Sequence, residues 1–394
     1  MRLIYNISIW LYVVTIRIAS LYNLKAKKWV KGRENIFSEL EAVVKNQKNI
    51  VWFHCASLGE FEQGKPIIET YKLNHPAHQI LLTFFSASGF EIKKNTALAN
   101  WVFYLPADTT SNAKKFINLV NPIKVVFIKY EFWFNYMYQL KKQNIPFYSV
   151  STIFREGQVF FKYQWFAKQL KNVTHFFVQD EKSAELLNSI GFSNFTISGD
   201  TRFDSVVANT KNPTKIALVE LFSKNKKTII CGSTWAKDEM ILIQYIKNHP
   251  ENNYVIAPHE LDNISNLQKQ SNGLLYSNAN EKNIFTTNVL IIDSIGLLST
   301  IYQYGNLAYI GGGFGSGIHN ILEAASFGLA VIFGPNYQKF NEAISLINKK
   351  GAISISNYEE LSSAIDIFNS FDKSIALNYI KENSGATNKI LGLI

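Results

Sequence analysis

Short apolar runs recur along the chain, with helical or polar segments between them. In the first half they fall at 50–54, 80–84, 101–104, 124–128, 146–150, 175–178 and 195–197. In the second half they fall at 228–231, 254–257, 289–292, 307–311, 330–333 and 352–355. Uninterrupted apolar strands separated by helices predict parallel sheets covered on both faces. The strands are too many for one open sheet. Asn209, Lys211, Asn212, Pro213 and then Lys224, Asn225, Lys226 and Lys227 mark a shift in composition over 205–227, where the boundary between two bodies is placed. The expected fold is α/β, with two doubly wound Rossmann-like domains, 31–208 and 209–394, facing a central cleft. The C-terminal helix is free to pack back on the first domain. Ligands in such sheets bind outside the carboxyl ends of the strands.

Residues 3–24 break the alternation with one long apolar and aromatic stretch. Asn6 and Arg17 interrupt it, and Lys25, Lys27, Lys28, Lys31 and Arg33 follow. A spanning helix needs about 20 predominantly apolar residues, which makes this a poor span. No run of small residues marks a signal-peptide cleavage site. A helix dipping into one leaflet, its basic flank on anionic headgroups, fits better over residues 1–30. The competing reading is an aromatic helix packed on the protein's own surface.

Composition narrows the class. The 394 residues are 47% hydrophobic and 18% charged, which excludes a disordered chain. A net charge of +10 favours anionic partners without choosing among them. Aromatic residues lie mostly inside apolar strands or the first helix and read as core, so nucleic acid is not the expected partner. The two cysteines, Cys55 and Cys231, sit far apart in apolar runs, which argues against a disulfide scaffold. No histidine spacing suggests a zinc site, and no Asp-x-Asp is present.

Three places carry candidate chemistry. The first is His54-Cys55-Ala56-Ser57-Leu58-Gly59-Glu60, between a strand and a helix expected to run from Phe61. A carboxylate there is a candidate general base. Spacing alone equally fits Glu60 as a partner of the helix dipole, or Ser57 and Glu60 as a capping box. The second is the loop Gly311-Gly312-Gly313-Phe314-Gly315-Ser316-Gly317, expected to feed a helix near His319 with Glu323 one turn inside it. Its five glycines in seven residues favour phosphate or nucleotide binding over a merely flexible turn. Neither the dinucleotide pattern nor the P-loop can be read in it. The third is Gly232-Ser233-Thr234 with Pro258-His259-Glu260, at strand ends on the same side as the glycine loop. His259 alone reads as a solvated or capping histidine.

In combination these residues resemble the 3-deoxy-D-manno-oct-2-ulosonic acid (Kdo) transferases, inverting glycosyltransferases of GT-B architecture. The resemblance runs along nearly the whole chain. It is carried by Ser57-Leu58-Gly59-Glu60, Ser198-Gly199-Asp200-Thr201-Arg202-Phe203-Asp204, Gly317-Ile318-His319-Asn320-Ile321-Leu322-Glu323 and Phe333-Gly334-Pro335. The family's two-carboxylate segment aligns with Ile128-Lys129-Tyr130-Glu131-Phe132-Trp133 and keeps only the second, Glu131. Ser151-Thr152-Ile153-Phe154-Arg155 departs from the family pattern, and Leu297 stands where a Glu is usual. The family's arginine beside Pro258-His259 is missing, which leaves His259, Lys237 and Arg155 as cations for that contact.

The resemblance implies CMP-Kdo as donor and the lipid A precursor, lipid IVA, as acceptor. It implies an anionic membrane surface on the cytoplasmic face of the bacterial inner membrane, with no cofactor and no metal. By it Glu60 is the base, and Glu131 and Arg202 steady the charge that shifts in the transition state. Gly311, Gly312, Gly313, Gly315 and Gly317 hold the CMP phosphate, and Asn320 and Glu323 the nucleotide. Pro258, His259, Ile295, Gly296, Leu297, His319, Ile321 and Leu322 complete the donor site. Enzymes of the same fold using UDP-sugars, transferases or epimerases, are the alternative, as is a non-catalytic lipid-binding scaffold.

Overall fold

The computed structural model describes residues 1–129 and 131–394; Tyr130, within the 128–133 segment, lies outside the described residues. The chain forms two compact units. The first comprises Met1–Ser205 and Ser384–Ile394, the second Val206–Asn383. The division falls inside the helix Thr201–Lys211, a few residues before the expected boundary, and the last residues return to the first unit.

The first unit carries a seven-stranded parallel sheet. Its strands are β1 (Ile50–Cys55), β2 (Gln79–Phe84), β3 (Trp101–Tyr104), β4 (Lys124–Ile128), β5 (Phe147–Thr152), β6 (His175–Val178) and β7 (Phe195–Ile197), in the order β3-β2-β1-β4-β5-β6-β7. The order reverses between β1 and β4, and ligands of open α/β sheets bind at such a reversal. Period-two alternation puts Val51, Phe53 and Cys55 in one core and Ile50 and Trp52 in the other. Both faces are covered, so the strands read as continuous apolar runs. Ile390, near the chain's end, joins Phe61, Ile68 and Tyr71 in the first of these cores.

The second unit repeats the plan with β8 (Thr228–Thr234), β9 (Asn253–Pro258), β10 (Leu274–Leu275), β11 (Val289–Ile291), β12 (Leu307–Ile310), β13 (Ala330–Phe333) and β14 (Ala352–Ser354). The order is β10-β11-β9-β8-β12-β13-β14, reversing between β8 and β12. Strand β10 was not anticipated, because two residues show no periodicity. Strand β8 runs on through Gly232 and Ser233, which sequence reading had put after the strand. Its register with β9 shifts between Gly232 and Thr234, and Ser233 has φ 53°, so an irregular pairing carries the strand past the bend.

The N-terminal segment is two helices, not one. The first, Arg2–Ala19, is long and apolar enough to cross a membrane by length and composition. The second, Leu24–Lys31, is capped by Asn23, whose side chain accepts from the Ala26 N–H. One stripe of the first helix rests on the first unit. There the Tyr5 hydroxyl donates to Asp108 Oδ2 at 2.5 Å, and Asn135 Nδ2 donates to Asn6 Oδ1 at 2.9 Å. Buried Asp108 also accepts the Asn135 and Tyr136 N–H groups, each at 3.0 Å. Leu3, Ile4, Ile7, Trp10, Leu11 and Ile18 are exposed.

Candidate functional site

In the first unit, chemistry gathers where β1 and β4 end. The helix Leu58–Asn74 begins with Ser57 as its N-cap, three residues before the expected start at Phe61. Glu60 therefore lies within the first turn. No capping box forms: the Ser57 side chain makes no cap hydrogen bond, and its hydroxyl donates to the Glu60 carboxylate instead. That bond fixes the carboxylate at the carboxyl end of the central strand.

Across the reversal, Lys129 follows β4 with φ 64°, a left-handed conformation uncommon for lysine. Its backbone is held in place: the N–H donates to Val150 O at 2.7 Å, and the carbonyl accepts from Ser149 Oγ at 3.0 Å and Thr152 Oγ1 at 3.2 Å. Burial lowers the pKa of its ammonium; Glu60 and Asp200 act against that shift, while Arg202 and Arg155 add to it. These five charged groups therefore share one field. Burial also pushes the Glu131 carboxyl up to about 7, the charge of Glu60 adds to the rise, and the Trp133 indole opposes it. Burial and a second carboxylate each disfavour the charged form of Glu131. Arg202 donates from Nε to Asp200 Oδ2 at 2.7 Å, and its N–H donates to Asp200 Oδ1 at 2.9 Å. Asp204 accepts the Gly385 and Thr387 N–H groups at 2.5 and 2.6 Å, so this carboxylate ties down the chain's last helix, Ala386–Leu391.

In the second unit the corresponding edge holds the glycine loop. A Cβ on Gly311 would lie 2.2 Å from Ser233 O, and one on Gly313 would lie 2.6 Å from the Gly334 backbone, so neither position accepts a side chain without movement. Buried Asp238 organises the loop. Its Oδ2 accepts the Trp235 N–H at 2.9 Å and the Gly312 N–H at 3.0 Å, and its Oδ1 accepts the Tyr309 hydroxyl at 2.7 Å. The loop and the start of the helix Ala236–Asn248 enclose a cavity of about 300 Å³ lined by Trp235, Lys237, Asp238, Gly312, Phe314 and Ser316. Of the cations considered for the missing arginine, Lys237 lines this cavity. Arg155 belongs to the first unit's cluster.

Three rings meet beside the loop. His259 packs on Trp235 with centroids 4.7 Å apart and on His319 at 4.3 Å. Trp235 Nε1 donates to His319 Nε2 at 2.9 Å, which requires an unprotonated Nε2. Burial lowers the His319 pKa, His259 lowers it further, and Asp238 opposes both. The neutral ring that accepts the bond is thereby favoured.

The helix after the loop begins at Leu322, not near His319, and is five residues long. Asn320 delays it: its Oδ1 accepts the Leu322 N–H at 3.1 Å, while its Nδ2 donates to Glu323 Oε1 at 3.1 Å. Glu323 is thus in the first turn, and Ile321 is the N-cap. The close backbone approach at this loop comes from the glycines, not from a long helix dipole. Pro258 closes β9. Ile295, Gly296 and Leu297 lie on the loop after β11, with Ile295 exposed and Gly296 at φ 98°.

Sequence reading missed Asp238 and Trp235. The signal was present, since Trp235 and Asp238 stand at cap and third position of a helix that follows a strand. It missed Asp108 as well, because a carboxylate that binds a tyrosine 103 residues away leaves no local pattern.

The family model described as 3-Deoxy-D-manno-octulosonic-acid transferase (kdotransferase) matches residues 31–205. A 3-deoxy-D-manno-octulosonic acid transferase of Rickettsia bellii is 29% identical over 403 aligned residues, covering 98% of this chain and 94% of its own. One of Haemophilus influenzae is 26% identical, covering 87% and 86%. Among solved structures, a UDP-GlcNAc 2-epimerase of Neisseria meningitidis covers 87% of this chain and 98% of its own, with a TM-score of 0.63 at 14% identity; it shares the fold. Matched family and curated relatives agree: the chain is similar to the Kdo transferases over most of its length, and its fold is of the GT-B type.

Proposed function

We propose that the chain is an inverting glycosyltransferase that moves Kdo from CMP-Kdo to lipid IVA in lipopolysaccharide synthesis. One observation carries the reading: Glu60, held by Ser57 at the sheet's reversal, acts on Glu131 and on Lys129, and Arg202 acts on Lys129 as well. The acceptor hydroxyl gives its proton to Glu60 as its oxygen bonds to the anomeric C2. The bond from C2 to the phosphate oxygen breaks, and CMP leaves with the electron pair. A single displacement inverts that centre, so one base suffices. Glu131 and Arg202 offset the charge that moves. The glycine loop receives the CMP phosphate, and Asn320 and Glu323 the nucleotide. The reaction uses no metal. The N-terminal helix and its basic flank dock the enzyme on the cytoplasmic face of the inner membrane, which the exposed apolar stripe of that helix supports.

The test is transfer from CMP-Kdo generated in situ to lipid IVA with chelator present, product mass read directly. Glu60→Gln should fold, keep its melting shift with CMP and lose about 10²–10⁴-fold in transfer, the usual contribution of a general base. Transfer within tenfold of wild type would remove Glu60 as the base. A melting shift with UDP and none with CMP would replace the donor.

A further inference from the structure

The first unit holds a second cavity, of about 530 Å³, between the two N-terminal helices and the helix Ala87–Lys93. Tyr12, Ile16, Ala26, Trp29, Phe85 and Ile92 make its walls apolar. Its size is within the range of about 300–1,000 Å³ common to ligand sites. Lys25 and Lys28 also line it. Its one acid, Glu91, is already engaged by Lys94 at 3.4 Å.

Position gives the cavity its meaning. The N–H of Ser86, which lines it, donates to Ala56 O at 2.8 Å. A Cβ on Gly89, in the helix that walls it, would sit 3.0 Å from the Ser57 carbonyl carbon. The wall therefore rests on the backbone that carries Ser57 and Glu60. On the other side the cavity is bounded by the helix that presents an exposed apolar stripe.

We infer that this cavity takes one acyl chain of the phosphorylated lipid acceptor, with a phosphate on Lys25 and Lys28. This deepens the acceptor half of the proposed function and rests on it. Charge complementarity selects the occupant: apolar walls beside two lysines that pair with no carboxylate among the described residues suit a chain that ends near an anion.

The probe is monomeric dodecyl phosphate, titrated calorimetrically into the full chain. Saturable one-to-one binding is expected. Ala87→Trp, which fills the cavity, and Ile92→Glu, on its exposed side, should each weaken it at least tenfold. The double change Lys25→Glu and Lys28→Glu should weaken dodecyl phosphate at least tenfold and dodecanol less than twofold. Phosphatidylglycerol vesicles should still co-sediment with Ala87→Trp. Absence of saturable binding, unchanged binding by both single variants, or loss of vesicle binding in parallel with the probe would overturn the site. No sugar donor enters the titration. A chain that binds the probe here and transfers no Kdo keeps the cavity and loses the reaction; transfer without probe binding does the reverse.

Discussion

Replacing Glu131 by Gln removes a carboxyl whose pKa is pushed up to about 7, by burial first and Glu60 second. In the unfolded chain the same group ionises near 4.5. Between those values the native state keeps a proton that the unfolded state has released. The unfolded chain thus binds fewer protons, and stability falls as pH rises. The gap of about 2.5 pKa units corresponds to about 3 kcal/mol at 1.36 kcal/mol per unit. Glutamine keeps the size and cannot ionise. The stability difference between variant and wild type should therefore grow in favour of the variant as pH rises from about 4.5 to about 7, then level off. Asp108, buried and raised to about 7 as well, adds the same slope to both proteins and cancels in the difference. Urea unfolding of the full chain at a series of pH values from 4.5 to 8, read on the first unit's tryptophans, measures it. A difference that is flat across this window, or that grows the other way, would refute the placement of a strained carboxyl here. A gain in stability with a loss of transfer is the expected sign of a site that carries strain for function.

Tyr5→Phe removes the hydroxyl that donates to Asp108 at 2.5 Å and keeps the ring contact with Phe134 at 4.8 Å. At pH 8, above the raised value of Asp108, a hydrogen bond to a charged group contributes about 1.5–3 kcal/mol, so the first unit's Tm should drop by roughly 3–12 °C, with faster amide exchange over residues 2–19. Unchanged Tm and exchange would mean that the helix is not held there. Gly311→Ala forces a methyl toward Ser233 O, 2.2 Å away. Overpacking of this kind costs about 1–3 kcal/mol or more, so the second unit should melt earlier and lose its response to CMP while the first is unmoved. A second unit that melts as in wild type would contradict the close approach.

The parallel sheets were legible because strands buried on both faces carry their own signature, as in Ile50–Cys55 and Leu307–Ile310. The glycine loop was legible because close backbone approach excludes side chains. Helix starts were not, at Leu58 and at Leu322. In both places a polar side chain makes a bond that spacing does not announce: Ser57 bonds Glu60 directly, and Asn320, one residue before the N-cap Ile321, accepts the Leu322 N–H. The proximity of Glu60 to Lys129 and Glu131 was out of reach of any local pattern. It follows from β1 pairing with β4, a fact of strand order across more than 70 residues.

The first unit is built from two stretches of chain, and this orders its folding in time. Ile390 fills a place in the core formed by Phe61, Ile68 and Tyr71, and Asp204 waits for the N–H groups of Gly385 and Thr387. During synthesis, residues 1–205 emerge with that place open. Everything from 206 to 383 must follow before the closing helix exists. At about 5–20 residues per second, the delay is roughly 10–40 s. The second unit, continuous in sequence, completes its sheet within that interval. The body that begins first is therefore finished last, with its apolar gap left open until then.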